Sequence, residues 1–364
     1  MTLHRRQFIF LTSGALGLWG LSACRQGLST SAQAPATVVT PRPNPAPSGL
    51  AGVPQGEARI IVISDLNSQY GATTYEPEVD RAMKLIPQWK PDLVLCGGDM
   101  IAGQKRSLTV AQIQAMWAAF DRHIGAPLRA AQIPLGFTIG NHDGSGAVFQ
   151  GNLTFAQERR LAEAHWQNPR HAPGLDFVDQ AHFPFYYSFT LKNIFFLVWD
   201  ASTAQIPPEV LRWTESSLQS AAAQGAKLKI AIGHLPLYAV AKGRDSAGNY
   251  LNNADALRTL LETYQVHTYV SGHHHAYYPG AKGNLELLHA GALGGGPRQL
   301  LQSAVPPRKT LTLLDIDFNP LRIRDTTYDL KTLKPVDITA LPAQITAPNG
   351  TVTRRDLWQK INKT

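Results

Sequence analysis

The chain has 364 residues, 44% apolar and 16% charged, with 34 Lys and Arg against 26 Asp and Glu for a formal charge of +8. That balance excludes a disordered chain and suffices to bury one substantial core or two modest ones. The positive excess is scattered, without a basic run or an aromatic-interleaved basic stripe, so nucleic acid is not an expected partner; diffuse charge of this kind favours anionic substrates or an anionic membrane surface.

Arg5-Arg6-Gln7-Phe8 stands near the start, an apolar run from Phe8 to Leu21 follows, and Leu21-Ser22-Ala23-Cys24 closes the segment. The run has signal-sequence length and falls short of the roughly 20 residues that cross a bilayer. The order resembles a twin-arginine export signal ending in a bacterial lipobox. It implies that residues 1–24 are a signal, that Cys24 receives a lipid, and that the domain is held outside the cytoplasm at a membrane. An uncleaved signal anchor is the other reading and leads to the same compartment. Residues 25–57, rich in Pro, Ala, Ser and Thr, lack the apolar surface to fold and are expected as an extended spacer. The other cysteine, Cys96, lies in the apolar run Leu93-Val94-Leu95-Cys96 and reads as a small buried hydrophobe, leaving no disulfide within the mature domain.

From residue 58 to about 330, β-branched and aliphatic runs alternate with helical stretches, the pattern of an α/β fold. Strands are predicted over 59–64, 92–96, 134–139, 195–199, 228–232, 267–270, 285–289 and 311–318. Helices are predicted over 76–89, 109–131, 154–167, 208–224 and 254–264, with Pro207-Pro208 suited to a helix start. Residues 331–364, polar and punctuated by proline, are expected as a peripheral tail.

The residues that follow the strands carry the chemistry, because ligands of open α/β sheets gather beyond the carboxyl ends of the strands. In chain order they are Asp65-Leu66-Asn67, Gly98-Asp99, Gly140-Asn141-His142-Asp143, Gly233-His234 and Gly272-His273-His274-His275. Singly, each Asp or Asn reads as a turn or cap residue and each His as structural. Five such motifs at the ends of strands of one sheet are another matter.

This succession resembles the calcineurin-like metallophosphoesterases, a family that includes purple acid phosphatases, over about residues 59–293. The resemblance implies a two-sheet αββα sandwich and hydrolysis of phosphate esters by water activated between two metal ions. It makes Asp99 the carboxylate shared by both ions, gives Asp65 and His275 to one with Asn67 nearby, and gives Asn141, His234 and His273 to the other. Mixed oxygen and imidazole donors suit Mn, Fe or Zn. His142 is implied as the group that protonates the leaving oxygen or stabilises phosphoryl charge, with Asp143 orienting its ring or else capping the following segment.

Two positions depart from the family pattern. Asn67 stands where a histidine is commonest, a neutral and weaker donor that should lower affinity at the first ion or change its identity. Ala102 stands where purple acid phosphatases place their iron-binding tyrosine, so no iron-tyrosinate colour is expected. His274 is expected to point outward or pack locally, and Gly294-Gly295-Gly296 to make a turn. The segment 242–250 is expected as a loop bordering the site, with Arg244 either meeting a phosphate or solvated; His289 and Tyr277 are open candidates for the pocket wall. Phosphomonoester and phosphodiester substrates both remain open, as does the oligomeric state. The rival from another class is a noncatalytic, anchored metal- or phosphate-binding protein with a decayed site.

Overall fold

The structure, a computed structural model, describes residues 44–50 and 52–362; the expected export signal, Cys24 and most of the spacer lie outside the described residues. The first third of the fold comprises β1 (Ala58–Ile63), α1 (Pro77–Leu85), β2 (Leu93–Cys96), α2 (Val110–Phe120), α3 (Ala126–Ala130), β3 (Leu135–Phe137) and α4 (Asn141–Gly144). A small hairpin of β4 (Val148–Phe149) and β5 (Asn152–Leu153) precedes α5 (Ala156–Gln167), β6 (Asp176–His182), β7 (Tyr186–Leu191) and β8 (Ile194–Val198). Next come α6 (Pro208–Gln219), α7 (Ala221–Gly225), β9 (Leu228–Ile232), α8 (Ala254–Thr263), β10 (Thr268–Ser271), β11 (Tyr278–Lys282) and β12 (Leu285–His289). The chain finishes with β13 (Thr310–Phe318), β14 (Leu321–Asp329), β15 (Gln344–Ala347), β16 (Gly350–Arg354) and α9 (Arg355–Asn362).

One sheet has the order β14-β13-β1-β2-β3, and the other β15-β16-β11-β12-β10-β9-β8-β7-β6. Strands β1, β2 and β3 run parallel in the first, as do β8, β9, β10 and β12 in the second. Alternation along β1 sends Ile60 and Val62 into the core shared with the second sheet, and Ile61 and Ile63 into a layer with Val79 of α1, Ile113 of α2 and Ala162 of α5. Because both faces of the strand are covered, its sequence is apolar throughout rather than alternating. Val210 and Leu218 of α6, with Leu257 and Leu261 of α8, pack in the core of the second sheet, completing the expected four-layer αββα sandwich.

The predicted helix over 109–131 is real but changes pitch. Thr109 caps α2 through a reciprocal pair with Gln112, then a π turn at Asp121–Gly125 leads into α3, because Pro127 has no N–H for the carbonyl of His123. The predicted helix over 208–224 divides at Ser220, whose Oγ accepts from Ala223 N–H at 3.2 Å and starts α7. Strands β6, β7, β11 and β14 to β16 are additions to the sequence reading. An exposed edge strand such as β6 has little apolar face to betray it, and β11 carries Pro279-Gly280, which sequence rules read as a turn.

The described residues of both expected boundary segments belong to the domain. Ala46, Leu50 and Val53 of the supposed spacer pack on the α1 and α2 core. Arg59 explains why: fully buried, it pairs with Asp315 on β13 at 2.8 and 3.1 Å, and its remaining donors meet the carbonyls of Pro45 and Val53 at 3.2 and 2.8 Å. The cost of leaving a buried charge without its partner, about 3–5 kcal/mol, holds this end in place. The supposed peripheral tail supplies β15 and β16, which extend the second sheet beyond β11. Its buried Ile345 and Val352 join the core, and Arg355 pairs with Asp325 and Glu286. Every strand, helix and core residue described therefore falls in the compact unit Arg42–Thr364. No helix among the described residues is long and apolar enough to cross a membrane.

Candidate metal centre

Five strands from both sheets deliver the motif residues to one edge of the sandwich. The segments that follow β1, β2 and β3 carry Asp65, Asp99 and Asn141, and those that follow β9 and β10 carry His234 and His273. Backbone hydrogen bonds lace the loops together: Asp65 N–H to Gly98 O at 2.9 Å, Gly272 N–H to His234 O at 3.0 Å, and Gly294 N–H to Asp65 O at 2.8 Å. Two glycines are required by closeness alone, since a Cβ on Gly140 would collide with Asp99 and one on Gly272 with Ser64 and Asp65. Asp65, Asp99, His273 and His275 all have left-handed backbone, with φ of 51°, 55°, 64° and 53°. For non-glycine residues that conformation costs on the order of 1 kcal/mol each, so four at one edge mark backbone held for function rather than for stability.

Two donor groups meet at Asp99. In one, ligand atoms of Asp65, Asp99 and His275 lie within 4.8 Å of one another, with His275 Nε2 at 3.2 Å from Asp65 Oδ1. In the other, Asn141 Oδ1 lies 3.0 Å from His234 Nε2 and 2.9 Å from His273 Nδ1, and His234 Nε2 lies 3.3 Å from Asp99 Oδ2.

The second layer fixes which atoms face inward. His234 Nδ1–H donates to Gly97 O at 2.7 Å and His275 Nδ1–H to Gly296 O at 2.9 Å, so each Nε2 turns its lone pair to the centre. Gln104 Oε1 accepts from Asn141 Nδ2 at 2.6 Å, which turns Oδ1 inward. Lone pairs on carboxylate, amide and imidazole thus converge at distances that only an interposed cation or proton makes favourable, and the donor set fits a transition metal.

The electrostatics agree. Burial would lower His234, but Asp99 outweighs it and brings the imidazole up to about 9, so this spot favours positive charge. Burial would raise Asp99, yet His234 first and then His142 hold it well below the usual carboxylate range. His273 is held well below its ordinary value by burial, then by the charges of His234 and Arg244, and stays neutral with a lone pair to give.

The model of the calcineurin-like phosphoesterase family matches residues 58–277, which is well over half of the chain and contains every residue of both donor groups. The chain belongs to that family. Among solved structures, a purple acid phosphatase from yellow lupin seeds is similar with a TM-score of 0.55 at 15% identity, over 77% of this chain and 52% of the lupin one. The chain thus spans about half the length of the lupin protein. GAP50, described as the anchor in the inner membrane complex of Plasmodium, is similar with a TM-score of 0.50 at 12% identity, over 77% of this chain and 87% of that one. At these identities the likeness establishes the fold. No curated protein matches the sequence at a significant level.

The remaining expected residues surround these two groups. His142, the second residue of α4, lies beside the two groups, its Nδ1–H donating to Gly103 O at 3.0 Å and its Nε2 lying 3.9 Å from Asp99 Oδ2. Its backbone N–H donates to Asp99 Oδ1 at 2.9 Å, and Tyr70 stands against its ring with centroids 5.3 Å apart. Asp143 does not orient this imidazole as expected. Its Oδ1 accepts from the N–H groups of Met100 and Ile101 at 2.7 and 2.9 Å and its Oδ2 from that of Gly140 at 2.8 Å. Fully buried, it fastens the loop of Asp99 to the loop of Asn141, the local bonding of a capping carboxylate put to long-range use. Burial first, then the charge of Asp99, pushes it up to about 7.

Asn67 is nearly buried and held by its backbone, N–H to Asp99 O at 3.1 Å and carbonyl to Gly295 N–H at 2.8 Å, beside the first donor group. His274 packs locally and fully buried: Nδ1 accepts from Val240 N–H at 3.2 Å and Nε2–H donates to Asn249 O at 2.9 Å, tying down the 242–250 loop. Arg244 on that loop turns inward, Nη1 3.5 Å from His273 Nε2 and 2.8 Å from Asn249 Oδ1, while its buried Nε has no partner. His289 and Tyr277 do not serve the site; the first faces the carbonyls of Tyr278 and Tyr238 and the second donates to Asp325. Gly294–Gly296 makes the expected turn and also supplies the carbonyl that sets His275. Sequence reasoning missed Gln104, Gly103 and Tyr70, for which no motif exists.

Proposed function

We propose that the chain hydrolyses phosphate esters with two metal ions, one held by Asp65, His275 and Asp99 and the other by Asp99, Asn141, His234 and His273. The observation that carries this reading is the place of Asp99, which belongs to the first donor group and sets Oδ2 3.3 Å from His234 Nε2 of the second, while neighbouring imidazoles are locked with Nε2 inward. When bound, such ions would supply positive charge to the phosphoryl oxygens and lower the pKa of the attacking water. Everything else falls to the chain itself. His142, partly open to solvent and anchored at Nδ1, offers Nε2 to the leaving oxygen and protonates it as the bond to phosphorus breaks. Arg244, whose Nη1 lies 3.5 Å from His273 Nε2 and whose Nε has no hydrogen-bond partner among the described residues, offers charge-assisted hydrogen bonds to phosphoryl oxygens. Gln104 and Asp143 hold Asn141 and the Asp99 loop where ligation needs them.

Mn, Fe or Zn are the ions this donor set suits, with Asn67 as a weak additional oxygen to the first. Export and a lipid on Cys24 would place the activity outside the cytoplasm on a membrane. A noncatalytic reading shares the fold, as the anchor protein among the structural neighbours illustrates, because fold alone does not confer activity. The retained His142, open on one nitrogen and free of any ligand role, argues for catalysis.

Steady-state rates on paired aryl phosphate mono- and diesters, with chelated protein reloaded with Mn, Zn or Fe, test the proposal. Turnover should vanish on chelation and return with at least one of the three metals, and the ratio of the two rates assigns the ester class. Turnover indifferent to chelation, or none from reloaded protein on either ester, would count against it.

A further inference from the structure

Seven large hydrophobic side chains are conspicuously exposed among the described residues, and five of them sit on three segments around His142. They are Tyr70 on the loop after β1, Val110 at the start of α2, and Val148, Phe149 and Leu153 on the β4–β5 hairpin. The hairpin tip is the most open, with Val148 61% and Phe149 65% exposed. The segments adjoin one another: Gly71 N–H donates to Ala102 O at 2.9 Å, Gln157 Nε2–H to Leu108 O at 3.3 Å, and Thr154 N–H to Ala147 O at 2.8 Å across the hairpin base. The Tyr70 ring lies tilted against that of His142, and the hairpin begins only a few residues after His142, so the patch borders the leaving-group side of the centre.

Its charge is equally distinctive. Residues 66–75, 100–120 and 144–157 contain no acidic side chain, and their only charged groups are Lys105 and Arg106, both exposed. Solvated faces of a monomer mix charges of both signs and leave large hydrophobics singly scattered; a cluster of apolar side chains on a projecting hairpin, flanked by cations alone, marks an interaction surface.

We propose that this face docks on an anionic lipid bilayer, with Val148, Phe149 and Leu153 entering the interfacial region and Lys105 and Arg106 meeting lipid phosphates. The hairpin is short, two residues to a strand, and exposes Val148, Phe149 and Leu153, apolar groups suited to entering the interfacial region of a bilayer. The two cations match the negative potential of anionic headgroups, and the net charge of +8 acts in the same direction. A lipid on Cys24, if the sequence expectation holds, would keep the domain near such a surface without setting its orientation; the patch would set it, with the His142 side of the centre against the membrane.

Co-sedimentation of the chain from Arg42 onward, which retains the whole folded unit and lacks the N-terminal segment, tests this with phosphatidylcholine vesicles prepared with and without phosphatidylglycerol. The protein should bind the anionic vesicles. Phe149→Ser with Leu153→Ser should weaken the partition at least about tenfold, as expected for withdrawing two large apolar groups from the interface. Lys105→Glu with Arg106→Glu should abolish the preference for phosphatidylglycerol. Unchanged melting temperature and metal content show that the variants are folded, and unchanged turnover of a soluble aryl phosphate by the hairpin variant separates docking from catalysis. No binding by the parent chain, equal binding by all variants, or a self-associating chain that the hairpin substitutions make monomeric would overturn the proposal. Absence of phosphoesterase activity would leave the vesicle result standing and instead count against the proposed chemistry.

Discussion

Asp99→Ala is expected to lose bound metal and turnover together. The carboxylate adjoins both donor groups, and its removal leaves His234 Nε2 and Asn141 Oδ1 without the negative charge that makes their convergence favourable for a cation. Lewis-acid stabilisation of a phosphoryl transition state is worth several kcal/mol, so at 1.36 kcal/mol per decade the rate should fall by about a thousandfold or more. Asp99 Oδ1 also accepts the backbone N–H of His142, and the alanine variant gives up that hydrogen bond as well. Asp99→Asn preserves the shape and therefore separates the two effects: it should keep the melting temperature closer to the parent value while still losing metal. Elemental analysis and aryl phosphate turnover, measured on both variants, check this. An alanine variant with metal intact would show that Asp99 is not the shared ligand.

His142→Ala should behave in the opposite manner towards metal. The ring is anchored to Gly103 O and reaches Asp99 only at 3.9 Å, while the contact that braces Asp99 comes from the backbone N–H and survives the substitution. Metal content should match the parent, and turnover should fall by about 10²–10⁴, the range for loss of a positioned proton donor. The fall should be steep for esters of weakly acidic alcohols and shallow for an ester whose leaving group needs no proton, such as that of a strongly acidic phenol. Equal losses across leaving groups would assign the ring to charge stabilisation instead, and loss of metal would contradict the separation of roles.

Much of this centre was legible in the sequence because its ligands lie at strand ends, where a β-branched run stops at a glycine and a polar residue follows. Asp65, Asp99, Asn141, His234, His273 and His275 could be named from those junctions, and the structure brings all six to one edge. What orients them was not legible. Gln104 acts through its side chain and Gly97, Gly103 and Gly296 through their carbonyls, from loops whose path no local pattern dictates. Asp143 carried two readings, orienting His142 or capping, and only the folded chain separates them: its neighbour in sequence is His142, but the donors within reach in space are three backbone N–H groups. At the ends of the fold, composition misled. Polar and proline-rich segments look peripheral until buried partners such as Arg59 and the cluster of Arg355, Asp325 and Glu286 draw them in. Edge strands such as β6 and β15 escape period-two reading because only one side of them meets the core.

The most direct test of the central claim is the metal stoichiometry of the chelated protein after titration with Mn or Zn, followed calorimetrically and by elemental analysis. Two equivalents per chain, both lost in Asp99→Ala, is the result this reading of the two donor groups requires. A single equivalent that persists when Asp99 is replaced, or none at all, would contradict it.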